Sequence, residues 1–459
     1  MSSSAPALRK LKQQLPSGVL HTAPEVLQRY RGDKWYAEHL PDAVCLPQTT
    51  ADVCKILKLS NAAGIPVTAR GAGYGYVGGC VPIRGGLVLS LERLNRIKEI
   101  NADDFVAVVQ PAVITKTLQD RVEKLGRFYP PDPASRADCS IGGNIATNAG
   151  GPRCLKYGVT RDYVLGLEVV LADGTLVRLG SRTHKNKSGF DLARLFVGSE
   201  GMLGIVTEAT LKLLPLPPSR SALAIGFASM ADAIAAIKRI FAAGLLPCAL
   251  ELADQFTLAA ARKRTGSERL TGCEAHIIVE IDGHEASLRT ELDTLAAAVA
   301  AGPNLRIERA VGAAACEDLW QLRREFSFFL RDTGLTKLNE DIVVPRSRLG
   351  DLFKFTATLE KKHGFAVACF GHAGDGNIHV NIMLDMDQPG ARAKSEKALD
   401  ALFKKIISLG GVITGEHGIG LAKKKWWPES VGPAALRLHH TVKDALDPKH
   451  ILNPGKFLG

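Results

Sequence analysis

The order of apolar and polar positions is the first structural signal in the chain. Residues 1–45 predict a helical lead-in that closes in an extended segment between Pro41 and Pro47. The pattern then turns helical: Thr50 is placed to cap, Val53, Ile56, Leu57 and Asn61 recur at helical spacing, and Gly64 ends the run. Short apolar runs at 65–70, 87–90 and 104–110 read as strands. Residues 164–178 form two runs about Asp173-Gly174, the dipeptide of a tight hairpin.

After the proline-rich residues 214–218 the pattern changes. Strand 223–227, Ala-rich helix 230–243 and strand 249–252 are followed by strand 276–281, helix 285–301 and strand 305–310. Two strand–helix–strand units in succession predict a ferredoxin-like cap. A helix over 317–330 and an extended stretch through Lys337 come next. The predicted domains are 1–216, 217–403 and a C-terminal segment, 404–459.

The glycines carry the first chemical signal. Gly73-x-Gly75-x-x-Gly78 matches the dinucleotide fingerprint and follows a strand, but Pro82 and another strand come after it, where a Rossmann site needs a helix. The loop is read instead as a nest of backbone N–H groups for a dinucleotide pyrophosphate. Residues 129–135 are too proline-rich for helix. Residues 139–151 are small at nearly every position, so backbone can lie against a flat ligand, and 195–206 add another glycine-rich approach.

A second signal lies at 370–383, answered by 414–420. His372, His379 and Glu416 make the ligand set of a catalytic zinc or similar ion with an open position, and His417 is left to move a proton. Arg323 and Ser327, four residues apart, share a helical face; with Lys337 they suit a substrate carboxylate.

Bulk properties narrow the setting. A chain of 459 residues exceeds one core, and 46% hydrophobic with 23% charged residues is ordinary for a soluble globular protein. The nine cysteines contain no Cys-x-x-Cys pair and read as reduced core thiols, which predicts a cytoplasmic protein. The amino terminus lacks a signal-peptide core and no apolar run reaches membrane-spanning length, so neither export nor spanning is expected. The net charge of +11 comes from scattered Lys and Arg, and with 6% aromatic residues there is no base-stacking platform, so no nucleic-acid partner is expected. The field favours anionic substrates, and Lys423 to Trp427 leave a peripheral membrane contact open.

Taken in order, the loop from Arg70 to Gly79, Tyr129-Pro-Pro-Asp-Pro, Gly142-Gly-Asn-Ile-Ala-Thr-Asn-Ala-Gly-Gly151, Gly198-Ser-Glu-Gly-Met-Leu-Gly-Ile-Val206, Gly371-His-Ala-Gly-Asp-Gly-Asn-Ile-His379, Gly415-Glu-His-Gly-Ile-Gly420 and Leu452-Asn-Pro-Gly-Lys456 span nearly the whole chain. They resemble the FAD-dependent D-2-hydroxyacid dehydrogenases among the vanillyl-alcohol-oxidase-type flavoproteins, a group that includes D-lactate dehydrogenase, the FAD subunit of glycolate oxidase and D-2-hydroxyglutarate dehydrogenase. The resemblance implies an α+β fold with a two-subdomain, non-Rossmann FAD-binding domain, the cap, and a C-terminal helical segment that returns to the FAD domain. It implies FAD contacts at Arg70, Gly71, Ala72, Gly73, Tyr74, Gly75, Gly78, Pro131, Asp132, Ser140, Ile141, Gly143, Asn144, Asn148, Gly150, Gly151, Glu200, Gly204, Ile205, Val206 and Asn453. Relatives often carry Thr-Ser where this chain has Tyr74-Gly75, so backbone must replace those side-chain bonds to phosphate. No His or Cys stands where flavinylated relatives attach the ring, so FAD is expected to be non-covalent.

The expected reaction is oxidation of a D-2-hydroxyacid (lactate, glycolate or 2-hydroxyglutarate class) to the 2-oxoacid by hydride transfer to flavin N5. A zinc or manganese ion on His372, His379 and Glu416 assists, His417 is the base, and Arg323, Lys337, Ser327 and Asn377 complete the catalytic set. Electrons pass to an external acceptor: a quinone, a cytochrome, an electron-transfer flavoprotein or an iron–sulfur subunit. A homodimer is compatible with the chain. The alternatives are an FAD-binding electron-transfer subunit without independent activity, and a same-fold oxidase of a carboxylate-free alcohol.

Overall fold

The computed structural model describes residues 5–458; the first four residues of the lead-in, and with them the start of the stretch read for a signal peptide, lie outside it. The chain forms two compact units. The first comprises the chain up to Gly150, Val159–Leu216 and the chain from Glu416 on; the second comprises Gly151–Gly158 and Pro217–Gly415.

In the first unit the lead-in is only partly helical. Helices Ala5–Gln14 and Pro24–Arg29 flank the strand Leu20–His21, which pairs antiparallel with Ala43–Cys45. That strand and Val67–Arg70 both run parallel to Leu87–Ser90, completing a four-stranded sheet. Helix Thr50–Ala63 packs Val53, Ile56 and Leu57 into the core with Leu87 and Leu89. Its buried stripe continues at Ser60, where Asn61 was expected.

The cap of this helix is Thr49, where Thr50 was expected. Thr49 Oγ accepts from Asp52 N at 3.1 Å, and the Asp52 carboxylate accepts from Thr49 N at 3.0 Å. Thr50 is displaced from that role because its hydroxyl donates across to Glu168 at 2.9 Å.

A second, five-stranded antiparallel sheet runs in the order Ile97–Asn101, Val106–Val109, Ile205–Lys212, Val164–Val170, Leu176–Gly180. The last two strands are the hairpin about Asp173-Gly174, with Gly174 at φ +87°. The C-terminal chain adds helices Trp427–Val431 and Pro433–Leu446 and returns beside Val67, whose N–H donates to Ile451 O at 2.8 Å. Trp427 is buried against Phe457 and His439, with ring centroids 4.7 and 5.2 Å away, so it is withdrawn from the membrane contact left open by the sequence.

The second unit is built on a seven-stranded antiparallel sheet, ordered Arg306–Val311, Ser219–Phe227, Ala275–Gly283, Ala249–Asp254, Ala366–His372, Asn377–Leu384, Thr336–Val343. Its first four strands stand in chain order 4-1-3-2, the ferredoxin-like arrangement, with helices Met230–Ala242 and Glu285–Ala300 as the crossovers. The other three extend this sheet. Helix Ala313–Arg331 packs Phe326, Phe329 and Leu330 on Ala368, Phe370 and Met383.

Among the described residues no helix is long and apolar enough to cross a membrane. All nine cysteines are free, and Cys45, Cys139, Cys248, Cys273, Cys316 and Cys369 are buried.

Candidate functional site

Strands Ala366–His372 and Asn377–Leu384 form a hairpin whose register sets Phe370 opposite His379 and His372 opposite Asn377. Side chains alternate along a strand, so these four share one face. The rings of His372 and His379 meet edge-on with centroids 5.6 Å apart. Gly376 permits the turn: it has φ +87°, and a Cβ there would lie 2.0 Å from the Val344 carbonyl oxygen.

The neighbouring strand sets Asp341 opposite His379. Asp341 is fully buried, and its Oδ1 lies 4.0 Å from His379 Nδ1. It accepts from Asn377 Nδ2 at 2.7 Å, Thr414 Oγ1 at 3.1 Å and Gly415 N at 2.8 Å. The last two bonds fix the chain where it enters Glu416. One ligand atom from each of His372, His379 and Glu416 lies within 4.8 Å of the others. Two imidazoles and a carboxylate so gathered fit a divalent ion with an open position.

A residue silent in the sequence completes this arrangement. Glu251, on strand Ala249–Asp254, is almost fully buried; its Oε1 is 2.5 Å from His372 Nδ1, while Oε2 takes Arg323 Nε at 2.6 Å and Nη2 at 2.5 Å. Burial opposes its ionisation, but Arg323 and His372 outweigh burial and hold its carboxyl down at about 2. A carboxylate on Nδ1 of His372 is the outer-carboxylate arrangement of many metal histidines.

Arg323 is thus anchored by Glu251, and the Phe370 ring lies 4.8 Å beneath its guanidinium. It is Arg324 that pairs with Glu317. Lys337 Nζ donates to Ser327 Oγ at 2.6 Å; burial, reinforced by Arg331, lowers Lys337 to about 8. The second unit therefore brings Arg323, His372 and Glu251 together, and Lys337 with Ser327. Asn377 commits both amide hydrogens, to Asp341 and to Ile342 O at 2.9 Å, so its nitrogen ties the hairpin to its neighbour and has no hydrogen left for substrate.

In the first unit His417 Nε2 lies 3.8 Å from Glu416 Oε1, and its ring centroid is 5.4 Å from that of Tyr76. The loop from Arg70 to Gly79 is shaped by close approaches that side chains would block. A Cβ on Gly71 would lie 2.6 Å from Ser140 Oγ, and one on Gly73, at φ +72°, 2.1 Å from the Arg70 guanidinium. One on Gly78 would meet the Trp35 ring at 2.8 Å. Asp33, another acid with no motif around it, accepts from Trp35 N at 2.9 Å and Cys80 N at 3.4 Å beside the loop. Tyr74 OH donates to Asp138 at 3.0 Å, and Arg70 lies 5.5 Å from the Tyr30 ring and donates to Gly32 O. Ala72 and Gly75 complete this loop.

The second glycine-rich segment holds itself in place with several of its own side chains. Ser140 caps helix Ile141–Thr147 by accepting from Gly143 N at 3.3 Å, Asn144 donates to Thr115 at 2.7 Å, and Asn148, left-handed at φ 52°, accepts from Arg161 N at 2.9 Å. Gln119 holds the carbonyl of Pro131 at 2.9 Å, which fixes the run into Asp132. Gly150 and Gly151 follow the helix. Gly204 packs on Val169, and Ile205 and Val206 open strand Ile205–Lys212. Asn453 donates to Glu200 O at 2.7 Å and Gly79 O at 3.1 Å, and the Glu200 carboxylate turns to the N–H groups of Ile419 and Gly420. The glycine-rich loop beside Ser140 and this small-residue helix make a cradle that fits a flat dinucleotide cofactor.

Family models for an FAD binding domain and for the C-terminal domain of FAD linked oxidases match residues 41–180 and 216–457. The chain is 39% identical over 420 residues to the glycolate oxidase subunit GlcD of Bacillus subtilis, covering 92% of this chain and 89% of that one. It is 37% identical over 462 residues to the D-lactate dehydrogenase of Anaerostipes hadrus, covering 98% and 96%. Its fold matches 4-ethylphenol oxidase from Gulosibacter chungangensis (TM-score 0.82, 22% identity, 100% of this chain and 98% of that one). It also matches p-cresol methylhydroxylase (TM-score 0.80, 18% identity, 99% and 96%). Both segments of the chain, and relatives that span it, lead to one assignment: the protein belongs to the FAD-linked oxidase family, with the fold of the vanillyl-alcohol-oxidase-type flavoproteins.

Proposed function

We propose that the protein oxidises a short D-2-hydroxyacid, of the lactate or glycolate class, to the 2-oxoacid. The observation that carries this reading is Glu251, which joins His372 of the candidate metal set to Arg323, the cation best suited to a substrate carboxylate. A carboxylate-free alcohol would offer Arg323 no anionic group to bind. The names of the relatives point the same way.

When bound, FAD supplies the acceptor for the C2 hydride, and a zinc or manganese ion supplies positive charge for the substrate hydroxyl. The protein's residues do the rest. Arg323, with Lys337 and Ser327, holds the carboxylate so that C2 is presented in one orientation. His372, His379 and Glu416 hold the ion, Glu251 and Asp341 fix the histidines, and His417 takes the hydroxyl proton at a ring nitrogen. The backbone of 70–79 and 140–151 holds the cofactor without a covalent bond.

Anaerobic titration of the yellow protein with D- and L-acids, with and without chelator, tests this. Bleaching by one D-acid, lost with chelator and restored by metal, is the expected result; flavin that no 2-hydroxyacid bleaches overturns it. A second reading is favoured by relatives named as glycolate oxidase subunits: electrons leave through a partner subunit. In that case bleaching occurs, but turnover waits for the added partner or for a quinone, cytochrome or flavoprotein acceptor.

A further inference from the structure

We infer that Glu200 is the positioning residue for His417, setting the base against the segments that cradle the cofactor. The inference rests on the reading above, in which His417 takes the substrate proton. Glu200 was expected from the sequence to contact the cofactor; its carboxylate is engaged by the turn that follows His417.

Glu200 is 8% exposed and has φ +50°, a left-handed conformation uncommon for a side chain of this kind. Every polar part of it is used. Its N–H donates to Ala146 O at 2.8 Å, in helix Ile141–Thr147, and its carbonyl accepts from Asn453 Nδ2 at 2.7 Å. Its two carboxylate oxygens separately accept the N–H groups of Ile419 at 2.7 Å and Gly420 at 2.9 Å. The turn is moulded onto this carboxylate: Gly418 has φ +86°, and a Cβ there would lie 2.7 Å from Glu200 Oε1.

The next two residues are pinned as well. Leu421 N and Ala422 N both donate to Val77 O, at 2.7 and 3.1 Å, in the loop whose Tyr76 faces the His417 ring. His417 is therefore followed by a glycine and then by four residues whose N–H groups are all held, two by Glu200 and two by the cofactor loop. A carboxylate suits the first pair because it is acceptor-only; an amide would set an NH2 group against one of two converging N–H donors.

A brace that merely stabilised the fold would act independently of the histidine, so a double-mutant cycle separates the roles. Full-length, FAD-loaded wild type, E200Q, H417A and E200Q/H417A are mixed anaerobically with the D-acid that bleaches the wild type. The flavin reduction rate, substrate affinity and FAD content are read together. E200Q is expected to keep FAD and substrate affinity within about twofold, to slow reduction by roughly 10²-fold, and to add nothing in the H417A background. Amide exchange at residues 417–421, which needs no substrate, should quicken in E200Q.

Additive losses in the double variant, or a wild-type rate in E200Q, overturn the inference. If E200Q loses FAD, E200D, which keeps both acceptor oxygens on a shorter stem, should give an intermediate rate with the same non-additivity; additive loss there is again fatal. A wild-type rate in H417A alone removes the base itself, an outcome distinct from an additive cycle.

Discussion

At the scale of single residues, the candidate ligands and the candidate base stood out in the sequence, and the buried acids that hold their neighbours did not. His372, His379, Glu416 and His417 announce themselves because histidines among glycines are unusual company. Glu251, Asp341 and Asp33 are single acids among ordinary neighbours, and only burial and register reveal their roles. E251Q should retain the fold and lower metal affinity about 10- to 100-fold, read as metal content against a competing chelator. Unchanged metal affinity would deny Glu251 that role.

Lys337 gives a prediction in pH. Burial lowers its folded-state value to about 8 from an ordinary 10.5, so folding favours the neutral amine. The cost is therefore full below pH 8 and is relieved as pH rises toward 10.5. K337M should be more stable than wild type by about 2 kcal/mol at pH 7, with the advantage shrinking above pH 8 in thermal midpoints. If Lys337 binds the carboxylate as its ammonium, wild-type kcat/KM should fall alkaline of about pH 8, and K337M should lose that limb.

At the scale of elements, periodicity and turn chemistry located most strands and helices, since both signals are local. Misplacements had tertiary causes. Thr50 lost the cap to Thr49 because Glu168, more than a hundred residues away, takes its hydroxyl. T49A should cost about 1 kcal/mol, measured by denaturant unfolding, through loss of the capping box. Gly376 has the strictest demand on the hairpin that carries His372 and His379, at φ +87° with the Val344 oxygen 2.0 Å from any Cβ. G376A should cost at least about 2 kcal/mol and lose metal while retaining FAD. Full metal occupancy in that variant would show that the hairpin tolerates a different turn.

At the scale of the whole molecule, the first unit closes only with the last residues of the chain. Lys443 is buried and gives its three hydrogens to Met202 O, Asp447 and Leu452 O at 2.8, 2.6 and 2.9 Å. Lys456, fully buried, donates to Val81 O. A chain ended at Gly415 should therefore fail to hold FAD, leaving Met202 and Val81 without these partners; a yellow truncated protein would contradict this. The ferredoxin-like order of the cap, by contrast, could be read from the alternation of strands and helices, because each crossover lies within its own stretch of chain.

The sequence by itself determined where backbone must turn left-handed or run close to another surface, which segments alternate as strands, and which ligand types are present. These follow from steric limits and side-chain chemistry acting over a few residues. Tertiary structure alone decided that Glu251 faces His372 and Arg323, that Asp341 steadies the entry to Glu416, and that the Glu200 carboxylate takes the N–H groups of Ile419 and Gly420. An acid's role depends on what burial places opposite it. Those partners lie 72 to more than 200 residues away in the chain, where no local pattern reaches.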